Sequence, residues 1–265
     1  MSPGRRLGQH FLTDPHILGR IADALDPVPG DVVLEIGAGR GNLTEHLLAS
    51  GLRVIAIEKD RRLAAECRMR NAECGMARLT VVVGDALRVD WRPLLIPHST
   101  FRIPHFKVAG NIPYAITSPL IAKALTPPLP ERIVFLVQAE VAERIAAAPG
   151  SKAYGALSIG VQAVCRVERL FTVRAGAFRP PPRVQSALVR LTPLAAPLVR
   201  PEEIPPFRAF VAACFSRRRK QLKNVVMAAG RPAAVTLAGL RALGLDPAAR
   251  AETLTPGEFV RLWRW

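Results

Sequence analysis

Val32-Val33-Leu34-Glu35-Ile36-Gly37-Ala38-Gly39-Arg40-Gly41 is an apolar, β-branched run that breaks abruptly into three glycines spaced two apart. A strand ending in such a turn, with Leu43, Leu47 and Leu48 following at helical spacing, reads as the first strand–turn–helix unit of a parallel sheet. The pattern repeats downstream. Val54-Ile55-Ala56-Ile57, Leu79-Thr80-Val81-Val82-Val83, Phe106-Lys107-Val108-Ala109 and Ile133-Val134-Phe135-Leu136-Val137 are short apolar runs separated by helical stretches, as expected of strands buried on both faces. Arg166 to Thr172 and Val184 to Leu191 read as two more strands that finish the sheet as an antiparallel edge hairpin. The expected fold class is α/β: a Rossmann-like, mostly parallel sheet of seven strands, followed by a small C-terminal helical domain.

The boundary is expected just after Thr192, where Pro193, Pro197, Pro201, Pro205 and Pro206 crowd a short stretch and no strand-like run follows. This gives domains over 1–194 and 195–265. Within the second, Thr255-Pro256-Gly257-Glu258 has the N-cap, first-turn proline and capping-box glutamate of a helix start, so the last helix should bury Phe259 and Leu262. With 49% hydrophobic and 22% charged residues the chain can build a globular core. No apolar run approaches the ~20 residues of a membrane span, so no membrane role is expected. Arg5-Arg6 is followed by an apolar stretch too short and interrupted for an export signal, and a cytoplasmic location is expected. Cys67, Cys74, Cys165 and Cys214 show neither paired spacing nor clustering with histidines, so no metal is expected. The 37 Lys+Arg against 21 Asp+Glu leave a net charge of +16, which suits a polyanionic partner. RNA, DNA and an anionic membrane all satisfy charge alone.

The glycine-rich turn can admit a ligand close to the backbone, and two carboxylates give that ligand a shape. Glu58, at the end of the second run and 21 residues beyond Gly37, stands where an acidic side chain accepts hydrogen bonds from a ribose. Asp85 follows the third run and stands where it can accept from an adenine amino group. NAD and S-adenosylmethionine both carry an adenosine. The spacing is GxGxG, whereas pyrophosphate-binding turns read GxGxxG, which argues against a dinucleotide.

Asn111-Ile112-Pro113-Tyr114 comes directly after the fourth run, at the carboxyl end of a strand where open α/β sheets hold their active sites. Alone it is an ordinary Asn–Pro turn. Beside a nucleoside pocket its residue types suit methylation of an exocyclic amino group. The Asn111 amide oxygen and the Ile112 carbonyl can accept the two amino protons, Pro113 fixes the backbone, and Tyr114 offers a stacking face.

These stretches resemble the ribosomal RNA adenine dimethyltransferases over nearly the whole chain. Leu7-Gly8-Gln9-His10-Phe11-Leu12 is similar to the family's GQxFL segment, and Glu35 to Gly41, Glu58, Asp85 and Asn111 to Tyr114 match its cofactor and catalytic motifs. Val137 to Arg144 resembles its VQKEVAER stretch, and Phe178-Arg179-Pro180-Pro181-Pro182-Arg183-Val184-Gln185-Ser186 its FxPxPxVxS segment. The resemblance implies S-adenosylmethionine as cofactor, held by His10, Leu12, Gly37, Glu58, Asp85 and Asn111, with Phe178 as the second wall of the target-base pocket. It implies dimethylation of N6 on two neighbouring adenosines near the 3′ end of small-subunit ribosomal RNA, on the immature subunit, by a monomer. His10, Ala38, Ala115 and Ala139 replace residues more frequent in the family; none falls in the catalytic four.

Arg217-Arg218-Arg219-Lys220 and Lys223 place five cations in seven residues, expected on a helix that grips RNA phosphates. Two other readings stand beside small-subunit methylation. One is the Erm branch, which methylates a large-subunit adenine. The other is an assembly factor acting mainly by binding.

Overall fold

The computed structural model describes residues 10–72, 76–95, 105–217, 219–228 and 230–265; Arg5, Arg6, Leu7 to Gln9, Cys74 and Arg218, which bear on the sequence reading, lie outside them. There are two compact units. One runs to Ala142 and resumes over Glu168–Thr192; the other comprises Glu143–Val167 and Pro193–Trp265.

In the first unit β1 (Phe11–Leu12), β2 (Val32–Ile36), β3 (Arg53–Glu58), β4 (Leu79–Val83), β5 (Phe106–Asn111), β6 (Arg132–Gln138), β7 (Cys165–Val173, whose first residues belong to the other unit), β8 (Phe178–Arg179) and β9 (Ser186–Pro193) alternate with helices. The main sheet has seven strands in the order β4-β3-β2-β5-β6-β9-β7. The pairs from β4 through β6 are parallel, and β9 joins β6 antiparallel. Central strands carry apolar residues on both faces because helices cover both: Val33, Leu34, Val108 and every residue of Ile133–Val137 are fully buried. The last two strands are sheet neighbours at the expected edge, but the chain reaches the outer β7 first and returns through β8 to fill the gap beside β6 with β9.

The strand order reverses at β2. From there the chain proceeds outward through β3 and β4, then crosses back to place β5 on the other side of β2. At such a switch point the loops after the two central strands diverge and leave a crevice at the carboxyl ends. The backbones pack tightly beneath it: a Cβ on Gly110 would stand 2.5 Å from the Ile36 carbonyl oxygen. α1 (Pro15–Asp23), capped by the Asp14 carboxylate, packs against α2 (Asn42–Ala49), and α3 (Arg61–Arg70) is capped by Asp60. α4 (Arg92–Leu95), α5 (Thr117–Ala124) and α6 (Ala139–Ala146, whose residues from Glu143 on belong to the other unit) complete the connections. A separate two-stranded sheet, absent from the sequence reading, pairs Phe11 with Arg179 and Leu12 with Phe178.

The second unit holds α7 (Ala156–Gln162), α8 (Ile204–Phe215), α9 (Leu222–Ala228), α10 (Ala233–Ala242) and α11 (Pro256–Arg264). Its later segment begins at Pro193, in the proline-rich stretch, and its earlier one is Glu143–Val167, which sequence reading assigned to the α/β domain. The cause is packing. α7 lies against α8 and α11, and the buried Tyr154 hydroxyl donates to the Leu254 carbonyl at 2.9 Å. α11 starts with the capping box at Thr255 and Glu258 and buries Phe259 and Leu262.

Among the described residues of the basic run only Lys223, in α9, is helical. α8 stops at Phe215, and the described residues Ser216, Arg217, Arg219 and Lys220 form turns before Gln221 bridges Arg250. A helix through this run would stack cations on neighbouring turns, whereas cations just past a helix end face favourable carbonyl dipoles. Among the described residues no helix is long and apolar enough to cross a membrane.

Candidate active site

The crevice at the switch point is an open cleft of about 200 Å³. It gathers His10, Gly37, Glu58, Asp85 and the four residues Asn111, Ile112, Pro113 and Tyr114, drawn from segments as much as 104 residues apart. Gly37 and Gly39 have φ of +72° and +57°, a conformation that L side chains adopt rarely, so the turn requires glycine. A Cβ on Gly39 would also press to 3.1 Å from the Phe11 ring.

Glu58 holds this turn open. Its two carboxylate oxygens accept the Gly39 N–H at 2.8 Å and the Asp60 N–H at 2.9 Å, and each keeps a lone pair for a ligand. Asp85 accepts from Lys59 Nζ at 3.0 Å and from the Leu87 N–H at 3.0 Å; these contacts hold its carboxyl below the usual range and keep it anionic. Ile36, Ile57 and Ala86 supply apolar walls. An adenosine fits this donor set: acceptors for ribose hydroxyls and an amino group, apolar faces for the ring, and no side chain over Gly37.

Asn111 is oriented by its own amide. Nδ2 donates to the His10 carbonyl at 2.8 Å, which directs Oδ1 to act as the acceptor on the other side. The Ile112 N–H is tied to the Leu136 carbonyl at 3.0 Å, so the backbone of the segment is anchored to β6. Tyr114 lies in the cleft wall with its ring 5.9 Å from that of His10 and its hydroxyl 3.3 Å from Ser186 Oγ. His10 is fixed in turn by a 2.8 Å contact from Nδ1 to the Pro180 carbonyl.

Two expected residues are elsewhere. Phe178 is 1% exposed, belongs to the hydrophobic core with Leu12 and Leu188, and does not line the cleft. Its place in β8 directs it inward, where a large aromatic side chain is best buried. Leu12 is also a core residue; it borders an adjoining cavity of about 40 Å³, and its carbonyl accepts from Asn42 Nδ2 at 2.7 Å.

Sequence reading missed Phe11, Lys59 and the role of Glu35. Glu35 is fully buried at the end of β2, accepts from Thr44 Oγ1 at 2.6 Å, and has its carboxyl pushed up to about 7 by burial, despite the Thr44 bond and helped by nearby Glu58. The signal was present as a carboxylate inside an apolar strand. Cys67, Cys165 and Cys214 are buried free thiols, raised to about 11, 12 and 11 by desolvation. No group of three or more His, Cys, Asp or Glu side chains among the described residues could hold a metal.

Residues 3–265 match the family model described as ribosomal RNA adenine dimethylase. The chain belongs to that family. It is 41% identical over 261 residues to the ribosomal RNA small subunit methyltransferase A of Syntrophotalea carbinolica, covering 98% of this chain and 95% of the relative. Among solved structures, a dimethyladenosine transferase from Plasmodium falciparum superposes with a TM-score of 0.77 at 30% identity, covering 96% of each chain. The 23S rRNA methyltransferase ErmE gives 0.71 at 27% identity, covering 96% of this chain and 98% of its own. The fold is thus the class I methyltransferase fold, and this family member is an S-adenosylmethionine-dependent ribosomal RNA adenine dimethyltransferase.

Proposed function

We propose that the chain dimethylates N6 of two adjacent adenosines near the 3′ end of small-subunit (16S) ribosomal RNA during small-subunit biogenesis. It acts as a cytoplasmic monomer on the immature subunit. The observation that carries the chemistry is the Asn111 amide, whose Nδ2 is committed to His10 and whose Oδ1 is therefore an acceptor at the mouth of an adenosine-shaped pocket. The small-subunit choice rests on relatives of that name at 41% identity against 27% for the large-subunit enzyme ErmE.

S-adenosylmethionine supplies an electrophilic methyl group when bound. Glu58 is suited to accept from its ribose, Asp85 from its adenine amino group, and Gly37 to admit it against the backbone. His10 borders that space from the N-terminal side, and Leu12 supports it from the core. For the target base, Asn111 Oδ1 and the Ile112 carbonyl accept the N6 protons, which draws the nitrogen lone pair out of conjugation with the ring. Pro113 holds that carbonyl in place, and Tyr114 stacks on the base, worth roughly 1 to 3 kcal/mol. No strong base is needed, since the methylated nitrogen is cationic and loses its proton readily. Rate comes chiefly from alignment. Phe178 contributes from beneath, by holding β8 against β1. The second unit contributes RNA binding, with Arg217, Arg218, Arg219 and Lys220 on backbone phosphates.

Tritiated methyl transfer to isolated small and large subunits, followed by nucleoside analysis, tests this reading. Label in N6,N6-dimethyladenosine of the small subunit is expected. Label confined to a large-subunit adenine would replace it with the Erm-type activity, and binding without any transfer would leave an assembly factor.

A further inference from the structure

A second hollow, about 380 Å³, lies on the first unit and is lined by Phe11, Thr13, Arg40, Asn42, Arg70 and Arg179. Its three arginines come from three different elements: the glycine turn, the end of α3 and the end of β8. No carboxylate lines it. α3 itself carries four arginines and one glutamate. Arg40 reaches Glu66 at 3.5 Å and Arg70 reaches Glu45 at 3.0 Å, in both cases between side chains about half exposed to solvent. Such pairs are weak in water and exchange readily for a stronger anion. Arg179 spends only Nη1 on the Gly176 and Phe178 carbonyls, which leaves the other edge of its fork available.

Phe11 joins this hollow to the active cleft, because the same side chain lines both. The Arg40 guanidinium lies 5.2 Å from the centre of its ring. Cations that track a backbone, interleaved with an aromatic face, are what a single nucleic acid strand needs. We propose that Arg40, Arg70 and Arg179 form a phosphodiester site on the catalytic unit that holds the RNA strand next to the nucleotide in the cleft, separately from the basic turn of the second unit. This rests on the reading of the substrate as RNA. An inorganic phosphate or a free nucleotide would present the same chemistry, and the strand is favoured by the size of the hollow and its continuity with the cleft.

The test uses the full chain and the double variant R70Q/R179Q, which spares Arg40 because that residue belongs to the cofactor turn. A labelled single-stranded RNA spanning the small-subunit 3′ region is titrated by fluorescence anisotropy over a range of KCl. Losing two phosphate contacts should flatten the slope of log Kd against log[KCl] by about 1.4, at about 0.7 per contact for a single strand. The KM for RNA should rise with kcat unchanged, and calorimetric S-adenosylmethionine binding should stay as in the wild type. R70K/R179K should restore the slope, and R179Q alone, away from both ion pairs, should lose half of the change. An unchanged slope and KM would overturn the site. So would variants that lose competition by inorganic phosphate at constant ionic strength yet bind RNA as before. Wild-type chain that binds RNA with the expected slope but transfers no methyl group would instead overturn the proposed reaction and leave the site standing.

Discussion

Glu35→Gln should gain stability relative to its parent as pH rises. Glu35 is 1% exposed, and its carboxyl is pushed up to about 7 from 4.5 chiefly by burial. Between those two values the folded chain holds a proton that the unfolded chain has lost, so folding stability falls as pH rises through this window. A shift of about 2.5 units corresponds to about 3 kcal/mol, all of it lost above pH 8 and none below about pH 4. Gln keeps an acceptor for Thr44 Oγ1 without the charge. Its buried amide NH2 brings a cost of about 1 to 3 kcal/mol that does not vary with pH, so the change in the difference between the two proteins is the quantity to measure. Urea unfolding followed through Trp91, in a background where Trp263 and Trp265 are phenylalanine, isolates the first unit. The stability of the variant relative to its parent should rise by about 3 kcal/mol from pH 4 to pH 8. A flat difference over that range would refute the placement of a buried, proton-holding Glu35 beneath the cofactor turn.

Asn111→Ala should lower kcat for methyl transfer by about 100-fold or more, the usual consequence of removing one aligned polar group at the reacting centre. Binding to small-subunit precursors should persist, and loss of both together would assign Asn111 a structural role. Tyr114→Ala should lower kcat/KM by about 5- to 150-fold through lost stacking, whereas Tyr114→Phe should be nearly neutral, since its hydroxyl makes only the 3.3 Å contact with Ser186; equal effects in single-turnover assays would exclude stacking. Gly110→Ala sets a methyl group against the immobile Ile36 carbonyl and should destabilise the first unit by more than about 3 kcal/mol in urea denaturation. Replacing Arg217, Arg218, Arg219 and Lys220 by alanine should flatten the salt dependence of RNA binding without changing thermal stability, because the described members of this turn are exposed.

The central strands and the cofactor turn were legible because their residue types are dictated locally. A strand buried on both faces must be apolar throughout, and a backbone at φ +57° or +72° beside a ligand must be glycine. The cleft residues Glu58, Asp85 and Asn111 were legible for a related reason: each follows a strand end, and parallel topology brings strand ends together whatever the lengths of the helices between them. Features fixed by contacts distant in sequence were not legible. The pairing of Phe11 with Arg179 is only two residues per strand, too short to carry a period, and it forms because Leu12 and Phe178 need the same core. That pairing settles the position of Phe178, which as a lone aromatic before a proline-rich stretch reads equally well as a pocket wall.

The basic run failed for the opposite reason. Its composition is strongly informative about a partner and nearly silent about backbone, since arginine and lysine are good helix formers wherever they occur. What ends α8 at Phe215 is long-range: Gln221 bridges Arg250, and the Leu222 N–H donates to the Ala249 carbonyl at 2.7 Å, so the chain must turn between Phe215 and Leu222 to reach them. A turn suits the proposed work better than a helix would. It lets Arg217, Arg219 and Lys220 splay toward different phosphates instead of lying at fixed angles around a helix axis, and it leaves the first unit, through Asn111, Ile112 and Tyr114, to determine which base is modified.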